Sequence, residues 1–323
     1  MIKKRISVFI AFLFLLFSNT LFAQSLSSKV SVNVGIIHSE INEKLLYLNE
    51  GKSNTISQLD WRIDAAPCLN LDYELGFSNK YFIALNGLYT FPLLKGSMND
   101  YDWLNFYSTG AADLTHYSTH KNNLDYLYNT ELSAGAGINL TAKIQFIQYL
   151  SIKYSYLCFT AKDGYRQYGE DLNDTGVYTP WSNDIEKKYF SGKVISYETQ
   201  DLYFGLCSKL TFQINDFLKT ELFAGIYPSL WNETLDTHHR RNEKFVYFDF
   251  SSKLDFDTSL LLEYNINKSS SISTKFCFSS NTSNNATVYQ SSNKKTWERI
   301  LNPGQALETH WSFLLGYSYK YDY

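Results

Sequence analysis

From Val246 to Ile266 the even positions carry Val246, Phe248, Phe250, Leu254, Phe256, Leu260, Leu262 and Tyr264, while Asp249, Lys253, Asp255, Asp257 and Glu263 occupy odd positions. A period of two sustained over about 20 positions predicts a strand longer than soluble sheets usually contain, greasy on one face and charged on the other. Leu202 to Ile214 repeats the pattern, with Leu202, Phe204, Leu206, Leu210, Phe212 and Ile214 set against Lys209, Thr211 and Gln213, and only Ser208 interrupting. The last residues do so again, with Trp311, Phe313, Leu315, Tyr317, Tyr319, Tyr321 and Tyr323 on every odd position. Strands of this length need lipid or a second sheet against the apolar face, so a membrane barrel and a secreted β-sandwich or solenoid are the architectures left open.

Composition and the N-terminus favour the barrel. The chain is 17% aromatic, with 26 Tyr and 23 Phe against 5 Pro and 2 Met, which suits many alternating strands better than a helical enzyme. Lys3, Lys4 and Arg5, an apolar stretch from Ile6 to Phe17 and the small residue Ala23 read as an export signal, cleaved near Gln24. No later segment approaches the roughly 18 consecutive apolar residues of a membrane-spanning helix. The terminal aromatic strand is similar to the last strand of bacterial outer-membrane barrels. A net charge of −3 offers no general field for nucleic acid. Cys68, Cys158, Cys207 and Cys277 fall singly in strand-like runs, without the spacing of a zinc site or disulfide framework, and read as small apolar fillers.

Turn signals alternate between short and long connections, as in barrels with short periplasmic turns and long outer loops. Short turns are expected at Gly76–Lys80, within Asn139–Gln148, at Asn215–Phe217 and at Asn267–Ser271. Long loops are expected over 39–56, 97–125, 161–197, 233–244 and 282–305, with the Asn/Ser-rich stretch 279–295 read as loop. Five long loops imply an all-β chain, a ten-stranded antiparallel transmembrane β-barrel with long extracellular loops, forming one domain over 24–323 after a signal peptide over 1–23.

Two acidic pairs fall at the mouth ends of strands on the same side. "MNDYDWLN", 98–105, contains Asp100 and Asp102; "LWNETLDTHHRRNE", 230–243, contains Asp236 and His238. Residues two apart on a strand share a face, so the aspartate beside the histidine is able to fix its tautomer and raise its basicity, as a general base requires. Two carboxylates at close range push one pKa up. A barrel of ten strands is roughly 15–20 Å across, so groups leaning inward from the two rims meet over one cleft. Solvated loop acids have the same spacing.

Four segments in order resemble the omptin family of outer-membrane proteases: "SQLDW" at 57–61, with Trp61 fourteen residues after Tyr47; "MNDYDWLN"; "FTAKDG" at 159–164; and "LDTHHR" at 235–240. The resemblance implies an endopeptidase with its active site in the extracellular mouth of the barrel, on the outer membrane of a Gram-negative bacterium. It implies a water held between Asp100 and His238, with His238 as base, Asp236 orienting it and Asp102 helping to position water, so that no acyl-enzyme forms. Ser118 and His120 match family positions near the cleft. Polypeptides at the cell surface and outer-membrane lipid are the expected partners, with no nucleic acid, no metal or other cofactor, and a monomeric state.

The chain departs from the family in two places. Omptins generally cleave beside basic residues by means of two pocket acids; the spacing from Tyr47 and Asp236 puts Lys44 and Thr234 there, which points to altered specificity, while Glu43 and Glu233 are immediate neighbours and a shift of one residue, which also reverses the side chain's face, would restore an acid. The glutamate and arginine that help relatives bind lipopolysaccharide are absent from "IKYSYLC", 152–158, so lipopolysaccharide dependence by that route is not expected. An outer-membrane barrel serving as an adhesin is the alternative, and a small porin the third.

Overall fold

The computed structural model describes residues 26–322 except 50, 51, 79, 93, 94, 107, 249–252 and 293–295, so the expected signal segment and Tyr323 lie outside the described residues. Thirteen strands follow one another: β1 Leu26–Asn49, β2 Lys52–Phe77, β3 Tyr81–Thr90, β4 Lys95–Asp102, β5 His116–Thr141, β6 Ile144–Tyr168, β7 Lys188–Tyr189, β8 Lys193–Gln213, β9 Leu218–His238, β10 Glu243–Phe248, β11 Leu254–Asn265, β12 Ser270–Ser291 and β13 Glu298–Asp322. All pairings are antiparallel, and β1 closes the sheet on β13 from Ser27↔Asp322 to Leu45↔Gly304. Closure leaves no free edge in the membrane, where an unpaired peptide group costs several kcal/mol.

Thirteen strands replace the expected ten for a local reason. β3 and β4 lie end to end between β2 and β5, interrupted where Pro92 has no N–H to give the ladder. β10 and β11 are likewise end to end between β9 and β12, and residues 249–252 of the expected strand over Val246–Ile266 lie outside the described residues. β7 pairs only with the outer end of β6.

The predicted faces are present. Val30, Val32, Val34 and Ile36 point outward and stay exposed while Ser31 and Asn33 are buried inside; Trp311, Phe313, Leu315 and Tyr317 alternate in the same way with Ser312, Leu314 and Ser318. An apolar band of this extent around a closed barrel is a lipid-facing surface. Tyr128, Tyr154 and Tyr156 cluster on β5 and β6 above it, with ring centroids 5.3 to 6.2 Å apart, as an aromatic girdle does.

Of the expected long loops, most of 161–197 lies outside strands, whereas 39–56, 233–244 and 282–305 are mostly strand. β1 and β2 stay paired as far as Asn49↔Lys52, β12 continues to Ser291 through the Asn/Ser-rich stretch, and a short turn at 239–242 separates β9 from β10. Beyond Ile36, β1 continues to Asn49, 13 residues further and roughly 40 Å along the strand. Above the lipid no apolar outer face is required, so the alternation that marks a strand in sequence fades while the ladder continues.

Inside, a packed apolar layer crosses the barrel. Ile41, Leu59, Ile63, Met98, Leu124, Leu127 and Leu157 pack around Trp61, which lies 5.9 Å from both Phe159 and Tyr197. Lower in the lumen Lys153 bridges Asp255 (2.6 Å) and Asp257 (2.7 Å). Beneath the apolar layer Lys253 joins Asp201 (2.9 Å) and Glu308 (3.3 Å). All four cysteines are free, as expected.

Candidate active site

On β4 the strand period turns Met98, Asp100 and Asp102 inward; on β9 it turns Asn232, Thr234, Asp236 and His238 inward. Above the packed plug, Asp100, Asp102, Asp236 and His238 line one cleft of about 330 Å³, together with Glu43, Leu45, Ile56, Ser57, Leu59, Leu104, His116, Tyr168, Tyr178, Arg241, Phe245 and Tyr247. Positions 136 residues apart (236 − 100) are thereby brought to a single hollow.

His238 Nε2 lies 2.8 Å from Asp236 Oδ2, and Phe245 meets the imidazole edge-on at 5.3 Å. A proton on Nε2 is therefore given to the carboxylate, leaving the Nδ1 lone pair as the basic site. Burial works against a charged His238, but the Asp236 charge and hydrogen bond, with Asp100 behind them and Arg241 opposing, raise it to about 9. Asp100 moves the other way from an ordinary carboxylate: burial first and Asp102 second push it up to about 8, against the pull of His238 and Arg241. Both groups therefore hold their protons to higher pH than they would in water, and each acts on the titration of the other.

Ser118 and His120 stand behind Asp100 rather than in the cleft wall. Ser118 Oγ is 3.5 Å from Asp100 Oδ2 and 2.9 Å from His120 Nε2, and His120 Nδ1 is 2.6 Å from the Asp163 carbonyl. A carbonyl only accepts, so Nδ1 carries the proton, and burial keeps the ring neutral by lowering its pKa. Nε2 then accepts from the Ser118 hydroxyl, whose free lone pair faces Asp100. The "FTAKDG" segment supplies the anchor: Asp163 and Gly164 have φ of 56° and 90°, and a Cβ on Gly164 would sit 1.9 Å from the Thr119 carbonyl.

Two expected pocket positions move. Odd residues of β1 face inward at this height, so Glu43 enters the cleft and Lys44 lies on the other face; the spacing from Tyr47 misses the register by one. Thr234 does face inward, but below the cleft, bonded to Thr199 Oγ1 at 3.0 Å. Neither Glu43 oxygen completes a hydrogen bond of ordinary geometry with a described residue. Burial and then Asp236 push Glu43 up to about 8, with Tyr247, His238 and Trp61 opposing.

Sequence reasoning also missed His116, Tyr168, Tyr178, Arg241 and Tyr247. His116 was legible in principle: it shares a strand face with Ser118 and His120 and pairs across the ladder with Asp102. Tyr178 arrives on the connection between β6 and β7, which carries no periodic signal.

The omptin family model matches residues 24–322. No curated protein matches the sequence. Among solved structures, the outer membrane protease OmpT from Escherichia coli superposes with a TM-score of 0.79 at 15% identity, covering 94% of this chain and all 100% of that one. The outer membrane protein OprG from Pseudomonas aeruginosa gives 0.32 at 8% identity over 91% of this chain and 96% of that one. The Pseudomonas putida toluene transporter TodX gives 0.31 at 9% over 91% and 89%, and neither of these two bears on the argument. With the barrel, the cleft and a family match spanning residues 24–322, the chain belongs to the omptin family of outer-membrane proteases.

Proposed function

We propose that this chain is an endopeptidase that hydrolyses peptide bonds with a water activated at the Asp100/His238 site. The supporting observation is the convergence of both acidic pairs on one cleft above a closed barrel, with His238 held by Asp236 at 2.8 Å. In this reading His238 takes a proton from water through Nδ1 as oxygen attacks the scissile carbonyl, and returns it to the leaving amine. Asp236 fixes the tautomer and stabilises the imidazolium. Asp100 and Asp102 hold the water and exchange protons with the tetrahedral centre, while Ser118 and His120 position Asp100. Water is the nucleophile, so the two half-reactions of a covalent mechanism are absent. Glu43 is the cleft acid available to a basic or hydrogen-bond-donating substrate side chain.

Refolded protein assayed on a broad peptide library tests the proposal. Asp236→Ala and His238→Ala should each lower kcat/KM by roughly 10²- to 10⁴-fold, the range for a positioned proton-transfer group. Equal cleavage by wild type and both variants overturns the assignment. Tight peptide binding with no cleavage by wild type would favour the adhesin reading instead.

A further inference from the structure

Charge in the cleft is segregated in a way that the proposed chemistry does not use. Glu43 and Asp236 lie towards β1 and β10. At the opposite end, around β5 and β6, stand two arginines: Arg241, which lines the cleft, and Arg166, which does not line it but stacks on Tyr168, which does. Arg166 stacks on Tyr168 at 4.9 Å and on Phe190 at 5.6 Å, next to His116. Arg241, from the turn joining β9 to β10, lines the cleft and bonds the Tyr168 hydroxyl. Among the described residues neither arginine forms an ion pair, whereas the lysines of the lumen, Lys29, Lys153, Lys209 and Lys219, and Lys253 above them, are all matched to carboxylates.

The remaining walls of this corner are rings and donors. His116 pairs across the ladder with Asp102, and its ring lies 4.3 Å from Tyr168 and 4.7 Å from Tyr178. Its Nδ1 is engaged by Thr115 Oγ1 at 3.0 Å. Asp102 and Asp100 attract Arg241 electrostatically without closing on it. Arg166, held by aromatic faces, and Arg241, held by the Tyr168 hydroxyl, are guanidinium groups without an ion-pair partner among the described residues, and such a group matches a carboxylate in geometry as well as charge. A peptide side chain reaching this corner meets cations and donors, and only Asp102 opposes an acid.

We propose that the β5/β6 end of the cleft is a subsite for an acidic side chain, so that the substrate is a polypeptide bearing Asp or Glu on the side of the scissile bond away from Glu43, gripped by Arg241 beside His116, with the positive charge of Arg166 behind Tyr168. This rests on the endopeptidase reading.

The test uses quenched-fluorescent peptide twins that differ only by Glu or Gln at successive positions around the cleaved bond. Wild type should cleave the Glu twin about ten-fold faster in kcat/KM at one position on that side, the size of a charge-assisted contact. Arg241→Gln and Arg166→Gln should each shrink the preference while still cleaving the Gln twin, and the double variant Arg166→Glu/Arg241→Glu should turn it towards Lys. Heat-modifiable gel mobility shows that each variant has closed its barrel. Equal cleavage of both twins by wild type at every position, or an undiminished Glu preference in the arginine variants, overturns the subsite. If wild type cleaves none of the peptides, the protease reading fails by itself, and fluorescence polarisation of the same twins decides the subsite: tighter Glu binding supports it, equal binding overturns it.

Discussion

Asp236 and His238 show how much two residues and one hydrogen bond set. Because the carboxylate lifts the imidazole to about 9, His238 holds its proton at neutral pH and becomes a free base only as pH rises. Activity should therefore increase through an apparent pKa on the alkaline side of neutrality, shared between His238 and Asp100. Replacing Asp236 by Asn removes the charge that raises His238, so the pH–rate profile of Asp236→Asn should shift to lower pH while its maximum falls; an unshifted profile would show that another group titrates. Glu43 makes a second case. Burial keeps it protonated below about 8, so discrimination for Lys over Gln at the facing substrate position should strengthen as pH passes that value. Glu43→Gln should abolish the pH dependence of that discrimination, measured as a kcat/KM ratio.

At the scale of strands, the site depends on parity and on a few breaks in it. β4 and β9 each offer alternate residues to the cleft, so shifting either by one residue would turn its acids to the outside. The kink at Asp163 and Gly164 in β6 is the counterexample, a local departure from extended backbone that sets a carbonyl under His120. Gly164→Ala places a Cβ against the Thr119 carbonyl at positive φ, and should destabilise the barrel by about 1–3 kcal/mol and lower activity through His120. Urea unfolding in lipid together with kcat/KM would measure both, and an unchanged unfolding midpoint would refute the strain argument. The extended outer hairpins follow the same physics. Their polar residues hide the strand period, but every backbone donor still needs an acceptor, and the neighbouring strand is the nearest one.

For the whole molecule, the barrel separates three environments along its length: charged lumen, apolar plug and wet cleft. The plug around Trp61 keeps the cleft from draining into the lumen and supports its floor. The lipid band makes a sharper prediction. Val34 is 58% exposed within an apolar row of β1, so Val34→Lys should lower folding stability in bilayers by about 2–4 kcal/mol near the midplane. The same variant in detergent, where the charge is solvated more readily, should lose less; equal losses would place Val34 away from lipid.

By itself the sequence determined long antiparallel strands with one apolar and one polar face, because a period of two over such lengths needs lipid or a second sheet on one side, and its composition and terminal aromatic strand favoured the barrel over a sandwich or solenoid. It also named Asp100, Asp102, Asp236 and His238 as the acids and base to watch, since each pair sits two apart beside a mouth-end strand. The tertiary structure decided what short-range pattern cannot encode. Register, fixed by hydrogen bonding across the ladder, placed Glu43 rather than Lys44 in the cleft. Closure of the circle brought β4 opposite β9, and links without periodicity delivered Tyr178 and Arg241. Spatial convergence is set by pairing partners far apart in the chain, so the cleft's charge distribution emerges only when the barrel is closed.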